Sequence, residues 1–206
     1  MSKVLVVKGH PLTSEESFSV KGLDKFVEIY EANHPNDEVE LLDVFHDNVP
    51  EIDADIASAF IELGKGTDFT ALSEDQQAKV ARYSQLTEQF LNADKVVVAN
   101  PLWNGQIPTR LKAWFDTINV AGKTFRYTEN GPVGLTEGKK VLHIQANGGV
   151  YSGSDSAAKF VDEAFKFIGV DDVQAVFIEG HAYAPDKAEE ILSDSLAKIE
   201  EIAKEF

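Results

Sequence analysis

A chain of 206 residues, 43% hydrophobic and 26% charged, can close one full-sized core, and no run of eighteen apolar residues suggests a membrane span. Asp and Glu outnumber Lys and Arg by 35 to 19, and a net charge of −16 repels phosphate backbones, which argues against a nucleic-acid partner. The absence of cysteine excludes disulfides, thiolate catalysis and Cys-ligated metal; with no basic, apolar leader ahead of the first strand-like run, the expected location is the cytoplasm.

Val4-Leu5-Val6-Val7 is a short β-branched run suited to a strand buried on both faces. Val20, Leu23, Val27 and Tyr30, spaced by three and four, predict a helix, and residues 39–44 a second strand. The connection from Phe45 to Leu72 is long; it holds a short helical pattern at Ile56, Phe60 and Ile61 and a Gly64-Lys65-Gly66 break, as lids and interface segments do. Ser73 with Gln76 three residues on is a capping-box pattern opening a helix lined by Leu86, Phe90 and Leu91. Residues 95–99 form a third strand, followed by a helix with Leu111, Trp114, Phe115 and Ile118 on one stripe. A hairpin-like segment, 124–138, precedes a fourth strand at 141–145 and a helix marked by Ala157, Phe160, Val161, Ala164 and Ile168. A fifth strand at 173–178 and an amphipathic helix through Ile191, Leu192, Leu196, Ile199 and Ile202 complete the chain. Five successive βα units predict an α/β fold in a single domain spanning 1–206, a parallel sheet with helices on both faces. Right-handed crossovers make it doubly wound.

Open parallel sheets bind ligands beyond the C-terminal ends of their strands, where three loops stand out. The first, from Gly9 to Ser19, ends in hydroxyls at the start of a helix. Free N–H groups, the helix dipole, Ser17 and Ser19 make a phosphate site there, although the serines can also serve only as helix caps. His10 can donate to that phosphate or stand as an exposed loop histidine. The second, Asn100-Pro101-Leu102-Trp103-Asn104-Gly105-Gln106-Ile107-Pro108, sets an aromatic beside an amide and a glycine, which suits a flat heterocycle; the alternative is a rigid turn whose Trp103 plugs the core. Pro108 fits the first turn of the following helix. In the third, Ala146-Asn147-Gly148-Gly149-Val150-Tyr151-Ser152-Gly153, adjacent glycines let the backbone approach a ligand closely. Together the loops describe an FMN cradle, with phosphate at the first and the isoalloxazine between the second and third.

Other cofactor signatures are missing. There is no G-x-G-x-x-G, no phosphate-binding P-loop and no G-x-S-x-G elbow, and the five histidines show no metal-ligand spacing, so no metal is expected. A nicotinamide must then dock transiently on the flavin.

At these residues the chain closely resembles the bacterial family of FMN-dependent NADH:azoreductases and NADH:quinone oxidoreductases. The likeness is carried by residues 99–124 (ANPLWNGQIPTRLKAWFDTINVAGKT), their continuation to Pro132, Gly148-Gly149, Phe167-Ile168-Gly169 and Glu179-Gly180-His181-Ala182-Tyr183, and it extends from Val4 to the last helix. The resemblance implies a flavodoxin-like fold with sheet order 2-1-3-4-5 and a homodimer with two FMN sites at its interface. It also implies hydride transfer from NADH or NADPH and delivery of two electrons to quinones or aromatic azo compounds. Carried over by position, Ser17, Phe18 and Ser19 would hold the phosphate and ribityl end, and Pro101, Leu102, Trp103, Asn104 and Gly105 would lie along the ring. Asn147, Gly148, Gly149 and Tyr151 would reach the pyrimidine side. Tyr127 would flank the substrate cavity, and Phe167 would enter it from the partner subunit; the plain alternative is that Phe167 closes its own core. No side chain is expected to be catalytic, because the flavin carries the hydride. Donor and acceptor sharing one flavin face implies ping-pong kinetics. The runner-up, a flavodoxin-type electron shuttle, needs neither the hairpin-like segment nor the long second crossover. One position departs from the family pattern: Gly105 stands where relatives carry a bulky, often aromatic residue. That glycine is expected to open the pocket, the alternative being a loop that requires positive φ.

Overall fold

The computed structural model describes all 206 residues. In chain order the elements are β1 (Lys3–Lys8), α1 (Phe18–Asn33), β2 (Glu38–Asp43), α2 (Ala54–Gly64), α3 (Glu74–Asn92), β3 (Lys95–Pro101), α4 (Thr109–Ile118), β4 (Phe125–Thr128), β5 (Gly131–Gly134), β6 (Lys140–Asn147), α5 (Ser156–Phe167), β7 (Asp172–Glu179) and α6 (Ala188–Glu205). β1, β2, β3, β6 and β7 form one parallel sheet in the order β2-β1-β3-β6-β7, and β4 and β5 pair as a separate antiparallel hairpin. With the hairpin strands set aside, this is the expected 2-1-3-4-5 order.

The β-branched runs lack polar alternation because both faces of the sheet are covered. Val4, Val6, Val97, Ala99, Leu142 and Ile144 lie under α1 and α6, joined by Leu23, Phe26, Tyr30 and Ile199. Leu5, Val7, Val96, Val98 and Val141 face α3, α4 and α5, whose Leu86, Phe90, Leu111, Trp114, Phe115 and Phe165 fill the larger core. Burying each such large side chain contributes about 1.5–3 kcal/mol before chain entropy opposes it. These two layers hold the strand ends rigid.

Local chemistry sets the helix starts. Ser73 and Gln76 form the reciprocal capping box, Gln76 N donating to Ser73 Oγ at 3.3 Å and Ser73 N to Gln76 Oε1 at 3.0 Å. In the long second crossover, Asp53 caps α2 by accepting from Ile56 N, and Lys79 of α3 holds both Asp53 and Asp55. Ala59, Leu72 and Val80 make a small separate core there, so the insertion is packed rather than loose. Pro108 is the residue before the first turn of α4 rather than within it, its ψ of 143° being extended.

The β4–β5 hairpin is fastened by main chain to the far end of α5. Leu135 N donates to Ile168 O at 2.9 Å and to Thr124 O at 2.8 Å, and Thr136 N donates to Ile168 O at 3.0 Å. A Cβ on Gly134 would lie 2.2 Å from Gly169 N, so only glycine permits this approach. No helix is long and apolar enough to cross a membrane.

Candidate functional site

β3 lies between β1 and β6, so the three loops singled out in the sequence emerge side by side at the C-terminal edge of the sheet. Backbone bonds weld them together: Gly9 N donates to Ala99 O at 2.7 Å, and Leu102 N to Ala146 O at 3.0 Å.

In the first loop, Ser17 is the N-cap of α1 and Ser19 lies in its first turn. Both are buried, and their hydroxyls meet at 3.0 Å. Ser17 Oγ accepts from Val20 N at 3.4 Å, a long bond that leaves the capping role weakly satisfied. The N–H groups of Phe18 and Ser19 donate to nothing in the protein. His10 is not an exposed loop residue: it is 6% accessible, its Nδ1 accepts from Leu12 N, and its ring sits 5.2 Å from that of Trp103. Burial, and then the Lys8 ammonium, push its pKa down. The residue therefore buttresses loop two as a neutral ring.

The second loop is a two-residue hairpin turn. Trp103 N donates to Gln106 O at 2.9 Å and Gln106 N to Trp103 O at 3.0 Å, with Asn104 at φ 51° and Gly105 at φ 77° between them. Positive φ at both central positions is the type I′ arrangement that Asn-Gly favours. This is a physical reason for Gly105 that pocket width does not supply, although a Cβ there would meet nothing within 4 Å. Trp103 does not plug the core; it is 41% exposed on the rim, above buried Pro101 and half-buried Leu102. Phe45 and Glu51 of the long crossover wall a cavity of about 400 Å³ against Trp103, Asn104 and Arg110.

In the third loop, the N–H groups of Gly148 and Gly149 have no acceptor within the protein, while their carbonyls accept from Ala182 N and Gly180 N. Tyr151 is exposed beside Gly149. Asn147 is buried; its Oδ1 accepts from Gln145 Nε2 and its Nδ2 donates to Glu179 Oε1, so each end of its amide already has one partner in the protein.

Tyr127 and Phe167 come together, but not at these loops. α5 begins at the site and Phe167 ends it, about 18 Å away at 1.5 Å per residue. There Phe167 packs 4.7 Å from Phe125, which lies 5.4 Å from Tyr127. Phe167 is 39% and Tyr127 75% exposed, so neither is consumed by the chain's own core. Both side chains therefore belong to one exposed cluster around Phe125, at the end of α5 away from the three loops.

Three contributors carried no signal strong enough to assign a role. His181 meets Phe18 edge-on at 4.6 Å, and its Nδ1 is shut from solvent without a partner. Burial lowers its pKa. Tyr183 brings its hydroxyl against Gly149, and Glu179 holds the third loop. The sequence marks them only as part of the family likeness, with no role attached to any one of them. The assembled donor set fits a phosphorylated flat heterocycle: buried hydroxyls and free amides at one end, an exposed indole along the middle and paired free amides at the other.

Comparison with known proteins bears on this reading. A family model described as flavodoxin-like fold matches residues 2–203. An FMN-dependent NADH:quinone oxidoreductase of Streptococcus suis is 43% identical over 206 residues, with all of both chains covered. FMN-dependent NADH:quinone oxidoreductase 3 of Halalkalibacterium halodurans is 46% identical over 211 residues, again covering both chains completely. The crystal structure of an FMN-dependent NADH-azoreductase from Bacillus anthracis in complex with FMN superposes with a TM-score of 0.93 at 34% identity, covering 100% of this chain and 99% of that one.

Proposed function

Since the chain belongs to the flavodoxin-like family of FMN-dependent NADH:quinone oxidoreductases, we propose that it uses FMN at the three-loop edge to pass two electrons from NADH or NADPH to quinones and aromatic azo compounds, by a ping-pong route. The observation that carries this assignment of the site is the convergence of unpaired donors on three adjoining strand ends around an exposed tryptophan.

Hydride acceptance and two-electron delivery are the chemistry FMN supplies when bound. The protein's part is binding, orientation and electrostatics. The first-turn amides of α1, with Ser17 and Ser19, would hold the phosphate at the positive end of the helix dipole. Trp103, braced by His10, gives the ring a flat face with Pro101, Leu102, Asn104 and Gly105 along it. The unpaired Gly148 and Gly149 amides would donate to the pyrimidine edge and would favour negative charge there without having to reorganise. Tyr127 and Phe167 of a second copy complete the acceptor pocket, which makes the working unit a homodimer, placed in the cytoplasm.

The purified protein should be yellow, bleach anaerobically with NADH and recolour with a quinone. Initial rates at varied NADH and quinone should give parallel double-reciprocal lines; intersecting lines would mean both substrates bind together and would refute the shared face.

A further inference from the structure

A continuous ladder of buried polar side chains runs beneath the third loop, and every rung points the same way. Asn100 Nδ2 donates to Pro101 O at 3.0 Å and to Gln145 Oε1 at 3.3 Å, which leaves Asn100 Oδ1 to accept from His143 Nε2 at 2.8 Å. Gln145 Nε2 donates onward to Asn147 Oδ1 at 3.0 Å and to the Asp155 carboxylate at 3.1 and 3.2 Å. Asn147 Nδ2 then donates to Glu179 Oε1 at 2.7 Å. His143, Asn100, Gln145, Asn147 and Asp155 are all buried. Both carboxylates accept only, so they dictate which way each amide faces. Asp155 also accepts from Ala157 N and Ala158 N at the start of α5. Hydrogen bonds aligned head to tail polarise one another, so the ladder is stiffer than its separate rungs.

Glu179 is the end of that ladder and also a clamp. Its Oε1 accepts from Tyr151 N at 3.2 Å and Ser152 N at 3.1 Å, and its Oε2 accepts from Ser152 N at 2.9 Å. Ser152 is held at φ 51°, a left-handed conformation that a non-glycine residue adopts at a cost. Register places Glu179 opposite Asn147 across β6 and β7, so the carboxylate lies at the root of the loop.

We propose that Glu179 is the positioning residue of the third loop, fixing the unpaired Gly148 and Gly149 amides before the cofactor arrives and placing a fixed negative charge behind them. The proposal rests on the reading of this loop as the pyrimidine side of the FMN site. Order in the loop comes from the protein, not from the ligand: the carboxylate anchors Tyr151 and Ser152 while the Ala182 and Gly180 amides hold the glycine carbonyls. The charge disfavours additional negative charge nearby and so holds the flavin reduction potential down.

Two variants separate geometry from charge. Glu179→Gln keeps the size and Oε1 as the acceptor for Asn147, but loses the charge and the shorter Ser152 N bond to Oε2, and weakens the remaining bonds to Oε1. Glu179→Asp keeps the charge but withdraws it by one methylene. Amide hydrogen exchange of residues 148–153 in flavin-stripped protein should accelerate about tenfold in both, the equivalent of one charge-assisted hydrogen bond. The dissociation constant for FMN, measured by flavin fluorescence, should rise about tenfold in both for the same reason. The reduction potential of bound FMN should move positive in Glu179→Gln and stay near wild type in Glu179→Asp. Unchanged exchange in the stripped variants would overturn the clamp. Faster exchange with unchanged FMN affinity would overturn the flavin assignment of this loop while leaving the clamp standing. Equal potentials in the two variants would overturn the charge effect. If Glu179→Gln fails to fold, the Asp variant's exchange and affinity decide the positioning role alone.

Discussion

Gly105 gives the sharpest test, because two accounts of one residue predict opposite results. The turn needs positive φ at its second central position, 77°, and a Cβ built there has no neighbour within 4 Å. Any penalty for a side chain is therefore conformational, about 1–2 kcal/mol for an L-residue forced left-handed. In a domain of this length, each 1 kcal/mol lowers the melting temperature by roughly 2–4 °C. Gly105→Ala isolates the backbone cost and should melt about 2–8 °C lower. Gly105→Phe should melt similarly low, but its ring can return about 0.5–1.5 kcal/mol of contact to bound FMN. Differential scanning fluorimetry of the stripped protein, paired with FMN titration, reads both terms. An Ala variant with unchanged melting temperature would refute the backbone argument and leave only pocket width as the reason for glycine.

Two further expectations concern the assembly and the buried ladder. Phe167→Ala should leave FMN content unchanged while reducing kcat/KM for bulky acceptors roughly two- to tenfold, and light scattering should find the wild type dimeric; a fully active monomer would contradict the pocket shared between copies. His143 is wholly buried, and desolvation pushes its pKa down from 6.5 to about 4, against the partly offsetting pull of Asp155 and Asp162. Above pH 6.5 the ring is neutral folded or unfolded; between 6.5 and 4 only the unfolded chain takes up the proton. Stability should therefore fall on acidification by up to ~1.4 kcal/mol per pH unit across that window and then level off. Denaturant midpoints should show this slope in wild type and lose it in His143→Gln; a parallel slope in the variant would assign the effect to other groups.

Most of the sheet is legible in the sequence because strands buried on both faces leave uninterrupted runs such as Val4–Val7, and because Ser73 and Gln76 announce a helix start with their own side chains. The loops were legible as a set, since hydroxyls, an aromatic-amide turn and paired glycines fall at successive strand ends. What failed was anything decided by a distant partner. His10 looks like a solvated loop residue until Trp103 and the β3 end close over it. Nothing local to Asn147 shows that Gln145 and Glu179 each take one hydrogen bond with its amide. Glu179 reads as one more acid in an acidic chain, since two of its partners, Tyr151 N and Ser152 N, are main-chain groups. That Tyr127 and Phe167 gather around Phe125 was equally invisible, because the hairpin and the end of α5 are far apart in sequence.

The seating of the β4–β5 hairpin bears on how such an enzyme diverges. Its base is fixed by Gly134 against Gly169 and by carbonyls of Thr124 and Ile168, all main chain. Exposed side chains on the hairpin, Tyr127 and Val133, take no part in that attachment. Side chains at those positions can therefore change without loosening the arm, whereas a side chain on Gly134 would collide with the Gly169 backbone.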